Sequence, residues 1–298
     1  MGWSLGANDS ANIFGTGVAT GMVKYRVAIW LTACFVLLGA LAEGPKCMKT
    51  LTELSSLAPL DAFGCTLAAA LTMTVLTHLA IPASASQAVV GALLGAGLFS
   101  ASADFTKLYK IVSCWILTPL GAIVVACILH KLLQCLLDRR IRSITRRNWF
   151  YYGGIMAAGC YGAYSLGANN VANVTGVYVG SGILTAEAAS LLGGVSIALG
   201  VLTYSKKIMM TVGKGIVPLD PFSALVVVLA EAVTLHLFTQ VRVPVSSSQA
   251  VVGAVVGVGI MRDLRTVNPR MLVKIAAGWL LTPVFAALGA FGLIWALG

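Results

Sequence analysis

Residues 4–15 read SLGANDSANIFG, and residues 165–176 read SLGANNVANVTG. The copies are 161 residues apart. A second pair follows: PASASQAVVGALLGAG at 82–97 and PVSSSQAVVGAVVGVG at 244–259, 162 residues apart. A weaker third pair, WILTP at 115–119 and WLLTP at 279–283, is 164 apart. Three pairs at a nearly constant offset make the chain a duplication. Its halves are roughly 1–147 and 148–298.

Composition says what the halves are dissolved in. Apolar residues make up 58% of 298, charged residues only 10%, and mean hydropathy is +0.92. A soluble domain carries about 25% charge, so a soluble enzyme, a secreted disulfide scaffold and a disordered tail are excluded. Cys34, Cys47, Cys65, Cys114, Cys127, Cys135 and Cys160 form no C-x-x-C pair and read as buried free thiols. The expected fold is an all-α polytopic membrane protein. Apolar runs fall near 2–23, 26–43, 59–80, 83–99 and 108–132, then 149–182, 186–204, 220–239, 246–260 and 270–297. The 149–182 run is too long for one straight span, and a broken helix is expected around its motif. The runs at 83–99 and 246–260 are short and fit either full or re-entrant segments.

Five spans per half is an odd number, so the halves should be inverted relative to each other. The basic residues test this. Placing the linker at 139–147 in the cytoplasm puts Lys24, Arg26, Lys131, Arg139, Arg140, Arg142, Arg146 and Arg147 inside. Lys206, Lys207, Lys214, Arg262, Arg265, Arg270 and Lys274 join them. Lys46, Lys49, Lys107, Lys110 and Arg242 fall outside, with both termini. The net charge of +10 thus reports topology rather than nucleic acid, for which no aromatic platform or groove motif is present. Inverted repeats with broken helices and a midplane site characterise secondary transporters. One asymmetry stands out. Trp149–Tyr164 precede the second motif, but only Met1, Gly2 and Trp3 precede the first. Either the fold tolerates four fewer helical turns or the true start lies upstream.

The first motif buries polar groups in an apolar run. Ser4, Asn8 and Asn12 are spaced i, i+4, i+8, on one helical face, with Asp9 beside them. Gly6 and Gly15 permit local unwinding. Carboxylate, amide and freed backbone oxygens suit a small hard cation such as Na⁺. A structural interhelical hydrogen-bond cluster is the alternative. The second motif places Ser84, Ser86 and Gln87 after Pro82, and Ser246, Ser247, Ser248 and Gln249 after Pro244. Proline followed by serine suits a helix N-terminus, where unpaired N–H groups and the dipole attract an oxyanion. Ordinary capping is the alternative. Gly91/Gly95 and Gly253/Gly257 have the spacing of close helix packing. Glu43 and Glu231 lie in apolar runs and fit a proton or cation site, or an interfacial position. His78, His130 and His236 lie near span ends without ligand spacing. No nucleophile–base constellation or metal cluster points to an enzyme.

GANDSANIFG and GANNVANVTG resemble the duplicated signature of inorganic phosphate transporters, the PiT family. The paired PASASQ and PVSSSQ segments resemble that family's PxSxxH/Q segments. The resemblance covers essentially the whole chain. It implies an inverted-repeat symporter of the plasma (inner) membrane, often a homodimer, moving phosphate with Na⁺ or H⁺ and no other cofactor. It implies a cation site of Asn8, Asp9, Asn12, Asn169, Asn170 and Asn173. It implies a phosphate site of Ser84, Ser86, Gln87, Ser246, Ser247, Ser248 and Gln249. Three positions depart from the pattern. Asn170 replaces a second Asp, Gln87 and Gln249 stand where many members have His, and Ala85 replaces a hydroxyl residue. Relatives also carry sulfate, which only accepts hydrogen bonds. Asp9 could accept from protonated phosphate, which favours phosphate. A sulfate or other oxyanion permease and an anion channel are the alternatives, separated by cation-driven accumulation.

Overall fold

The computed structural model describes residues 1–52, 57–79, 83–99, 105–141, 143–206, 209–210, 219–262 and 269–297. Of the residues singled out above, Pro82, Arg142, Lys207, Lys214 and Arg265 lie outside this set. The described residues form ten α-helices. They are α1 (Gly2–Ala19), α2 (Tyr25–Thr52), α3 (Pro59–His78), α4 (Ala85–Phe99) and α5 (Phe105–Arg140). Then come α6 (Ile144–Gly180), α7 (Ala186–Tyr204), α8 (Pro221–Gln240), α9 (Ser247–Arg262) and α10 (Pro269–Leu297).

Local signals account for the ends. Pro59 and Pro221 open α3 and α8, where a missing N–H costs nothing. Asp220 caps α8 by accepting from the Ser223 N–H at 2.7 Å. Gly21 and Gly182, with φ of 74° and 75°, turn the chain after α1 and α6 in the left-handed region that glycine tolerates. These two glycines are counterparts in the repeat.

Six helices, α2, α3, α5, α7, α8 and α10, are long and apolar enough to cross a membrane. Helix α5 turns Ile116, Leu120, Val124, Ile128 and Leu132 outward as an exposed i, i+4 stripe. Helix α10 does the same with Leu280, Val284, Leu288 and Phe291. Such apolar ridges need lipid around them. Cys34 and Cys135 are also exposed, unlike the buried thiols expected for every cysteine, because they lie on outward-facing parts of α2 and α5. Helix α1 is the opposite case: from Ser4 to Gly17 every residue is buried. Polar residues on α1 are therefore shielded by protein rather than by lipid.

The expected break in the 149–182 run is corrected. Helix α6 is continuous over 37 residues, about 55 Å, and α1 is continuous through Gly6 and Gly15. The helical breaks lie instead after His78 and after Gln240, ahead of α4 and α9. Those two helices, of 15 and 16 residues, are about 22–24 Å long, and their first residues are buried. They start inside the protein.

Glycines decide how the two halves interlock. A Cβ on Gly6 would strike the Ile197 carbonyl, and one on Gly167 the Val36 carbonyl. Gly39 meets Tyr164 in the same way, and Gly200 meets Trp3. Each contact joins one half to the other and has its counterpart 161 residues along. The predicted small-residue seams behave likewise. Gly91 and Gly95 press on Pro283 and Ala287 of α10, and Gly253 and Gly257 on Pro119 and Ile123 of α5. Small residues let backbones approach where no hydrophobic driving force separates helix from lipid.

Gly253→Val is expected to destabilise the protein by about 1–3 kcal/mol, the usual size of overpacking, read as a lowered unfolding temperature in detergent. Gly153→Ala, where an added Cβ meets open space, should leave that temperature unchanged or slightly raised. Equal effects would contradict the close approach of α9 to α5.

Candidate functional site

The site is assembled from buried polar side chains on α1 and α6 and the chain that enters α4 and α9. Asn8 Nδ2 donates to Thr77 Oγ1 at 3.1 Å, and its Oδ1 accepts from the Ala83 N–H at 3.4 Å. Asn169 repeats this with the second half. Its Nδ2 donates to Thr239 Oγ1 and to the Val243 carbonyl, both at 3.1 Å. Its Oδ1 accepts from the Val245 N–H at 2.8 Å. Each asparagine therefore fastens the helical break of its own half, supplying bonds that the helix no longer makes. Both belong to the predicted cation set, and both amides serve backbone at the breaks.

Asp9 and Asn12 reach across to the other half. Asn12 Nδ2 donates to Ser247 Oγ at 3.1 Å, and the Asp9 carboxyl faces the same side chain. Asp9 Oδ1 is fully buried without a partner. One serine hydroxyl at the start of α9 thus bonds the Asn12 amide of α1 and lies next to its Asp9 carboxyl.

Asn170 and Asn173 do something different. Asn173 Nδ2 donates to Asn170 Oδ1 at 2.9 Å, leaving Asn170 Nδ2 and Asn173 Oδ1 buried without partners. The repeat explains the difference. The counterpart of Ser247 is Ala85, which offers no hydroxyl. Helix α6 packs against α4 as α1 packs against α9, but the second copy has Asn170 and Ala85 in place of the acid and the serine, and its two amides turn to each other.

The serine segments fold as capped helix starts. Ser84 Oγ accepts from the Gln87 N–H at 3.2 Å and lies 3.2 Å from Ser86 Oγ. Ser246 Oγ accepts from the Gln249 N–H at 3.3 Å and lies 2.9 Å from Ser248 Oγ. Trp279 of the weak third repeat adds an N–H to Ser248 Oγ at 3.2 Å. The Oε1 atoms of Gln87 and Gln249 are buried without partners. Capping is real here, and it gathers hydroxyls and amides at two buried helix N-termini.

The two glutamates separate. Glu43 Oε2 accepts from Gln240 Nε2 at 2.8 Å and lies 3.3 Å from Lys46 and 3.5 Å from His236. Tyr161 OH lies 2.7 Å from the other nitrogen of His236. Glu43 therefore belongs to a paired polar cluster tying α2 to α8. Glu231 is fully buried, and neither carboxylate oxygen has a partner. Sequence gave both residues the same reading; only the fold distinguishes them.

Comparison with known proteins places this arrangement. Residues 5–156 and 145–290 each match the family model described as the Phosphate transporter family. A protein of Methanocaldococcus jannaschii, provisionally named a phosphate permease, is 29% identical over 287 residues, covering 96% of this chain and 91% of that protein. The sulfate permease CysP of Bacillus subtilis is 27% identical over 289 residues, covering 94% and 80%. A solved structure, the sodium-dependent phosphate transporter, matches with a TM-score of 0.86 at 23% identity, covering 100% of this chain and 96% of that one. At that identity the likeness speaks for the fold. With the family model matched in both halves, the chain belongs to the phosphate transporter family, whose members are membrane transporters and not enzymes.

Proposed function

We propose that the chain is a symporter of inorganic phosphate driven by Na⁺, with H⁺ as the second candidate, working by alternating access across the plasma membrane. The observation that carries this reading is the Ser247 hydroxyl, shared between the α1 groups Asp9 and Asn12 and the N-terminus of α9. Ligands of cation type and donors of anion type meet at one atom. A cation at Asp9 sits next to an oxyanion at the helix start, and each lowers the cost of burying the other. Asn8 and Asn169 act as positioning residues for the two helix starts. Asp9, Asn12, Asn170 and Asn173 supply the cation side. Ser84, Ser86, Gln87, Ser246, Ser247, Ser248 and Gln249 supply the phosphate side.

The same reading takes the halves, meeting near residue 147, as inverted repeats with both termini outside and the 139–147 linker in the cytoplasm. Two groupings support it. Arg262 pairs with Asp220 at 2.8 Å on the side assigned to the cytoplasm. Lys46 donates to Gln240 at 3.0 Å, and Thr50 to the Arg242 carbonyl, on the other side. A homodimer in the bilayer is part of the proposal. Sulfate is the second substrate reading, favoured by the likeness to a sulfate permease. It is disfavoured by Asp9, an acceptor that a protonated phosphate satisfies and sulfate does not.

Proteoliposomes supplied with labelled phosphate or sulfate, under an inward Na⁺ gradient, an inward H⁺ gradient or neither, test the proposal. Phosphate should accumulate with the Na⁺ gradient; equilibration without accumulation would instead indicate a channel. Asp9→Asn should reduce Na⁺-driven uptake by about 100-fold, roughly 3 kcal/mol, and unchanged Na⁺ dependence would contradict the cation site. Ala85→Ser combined with Asn170→Asp recreates in the second half the pair formed by Asp9 and Ser247. Its Na⁺ dependence should become steeper, and an unaltered Hill slope would argue against a site there.

A further inference from the structure

Asp9 and Glu231 are the two acids buried among the described residues. Asp9 has a place in the proposed cation site. Glu231 is assigned nothing so far, and packing offers no reason for it. An ionised carboxylate at membrane depth costs about 2.5–3.5 kcal/mol on insertion scales, and such residues in transporters face a cavity or a partner. Here neither oxygen of Glu231 is hydrogen-bonded.

The fold brings Glu231 to Asp9. Helix α8 packs on α1. A Cβ added to Gly162 of α6 would touch Ile13 of α1 at 3.3 Å and Ala232 of α8 at 3.6 Å. The 231–232 step of α8 therefore lies beside the turn of α1 that follows Asp9. Asp9 stands one turn before Ile13 on the same face of α1, so the two carboxyls belong to adjoining stretches of α1 and α8. Two carboxylates in one water-poor site repel each other, and a cation between them removes the repulsion. The unpartnered Asp9 Oδ1 and both unpartnered oxygens of Glu231 are hard ligands for such an ion. Glu43 shows the contrast, since Gln240, Lys46 and His236 already satisfy it.

We propose that Glu231 is the second carboxylate of the cation site and that Asp9 and Glu231 together hold Na⁺. The acid missing at Asn170 is thereby supplied from a different helix, outside the duplicated motif. The inference rests on the Na⁺-coupled reading above and adds a ligand that the repeat does not encode.

The test is thermal unfolding of the purified, detergent-solubilised protein over a Na⁺ series, with choline holding ionic strength constant and no phosphate present. The unfolding temperature of the wild type should rise with Na⁺. In Glu231→Gln the half-saturating Na⁺ should increase by about tenfold or more, in line with the 10–100-fold losses that follow even from disturbing a metal ligand's support. An unchanged half-saturation overturns the proposal. If Glu231→Gln does not fold, Glu231→Asp carries the test. It keeps the charge and shortens its reach, so it should bind Na⁺ several-fold more weakly, and a wild-type value overturns the proposal. Because phosphate is absent, a wild type that responds to Na⁺ but transports no phosphate would count against the transport reading alone. A wild type without any Na⁺ response would overturn both.

Discussion

A helix that starts inside the protein leaves backbone N–H groups with no water to receive them. Two helices start there, α4 beyond the break at His78 and α9 beyond the break at Gln240, and the rest of the site depends on how the chain entering them is held. Asn8 and Asn169 do it, one for each half. An asparagine amide carries a donor and an acceptor side by side, which is what a broken helix lacks. Once the breaks are fastened, α4 and α9 start deep in the protein with capped, serine-lined N-termini. Their glycine faces then lock onto α10 and α5 of the opposite half. The position of the serine-lined helix starts follows from that fastening.

The two halves share a scaffold but not a chemistry. Asp9 facing Ser247 gives the first copy a buried acid in contact with the other half. Asn170 with Ala85 gives the second copy none, and its amides pair with each other. Loss of the acid and loss of the hydroxyl therefore belong together: an Asp at 170 facing Ala85 would have no serine to receive it. A duplicated framework can keep its architectural asparagines in both copies while keeping a buried motif acid in one. The burial of Glu231 near that one copy fits the same asymmetry.

Much of this was legible in the sequence. The paired motifs exposed the duplication, the shortage of charge excluded water as solvent, and Gly91/Gly95 and Gly253/Gly257 announced close packing. Unwinding was misread because glycine within a helix serves two purposes. Gly6 and Gly15 read as permission to unwind, but Gly6 is a contact point against Ile197, as its counterpart Gly167 is against Val36, and α1 and α6 stay helical. The division of labour among the asparagines was also hidden. Spacing puts Asn8 and Asn12 on one face without saying that the first meets backbone and the second meets Ser247. Glu231 was visible only as an acid in an apolar run, a pattern that Glu43 shares. Which one is buried and unpaired depends on helices distant in sequence.

If cation and anion meet through Ser247 as proposed, binding of one must strengthen binding of the other, reciprocally. The direct measurement is the phosphate Kd of the purified protein in Na⁺ and in choline, for the wild type, Ser247→Ala and Ser84→Ala. Na⁺ should tighten phosphate binding in the wild type and in Ser84→Ala, whose hydroxyl meets Ser86 and the Gln87 N–H rather than the polar groups of α1. In Ser247→Ala the ratio of the two Kd values should fall toward one. A wild-type ratio in Ser247→Ala would contradict the claim.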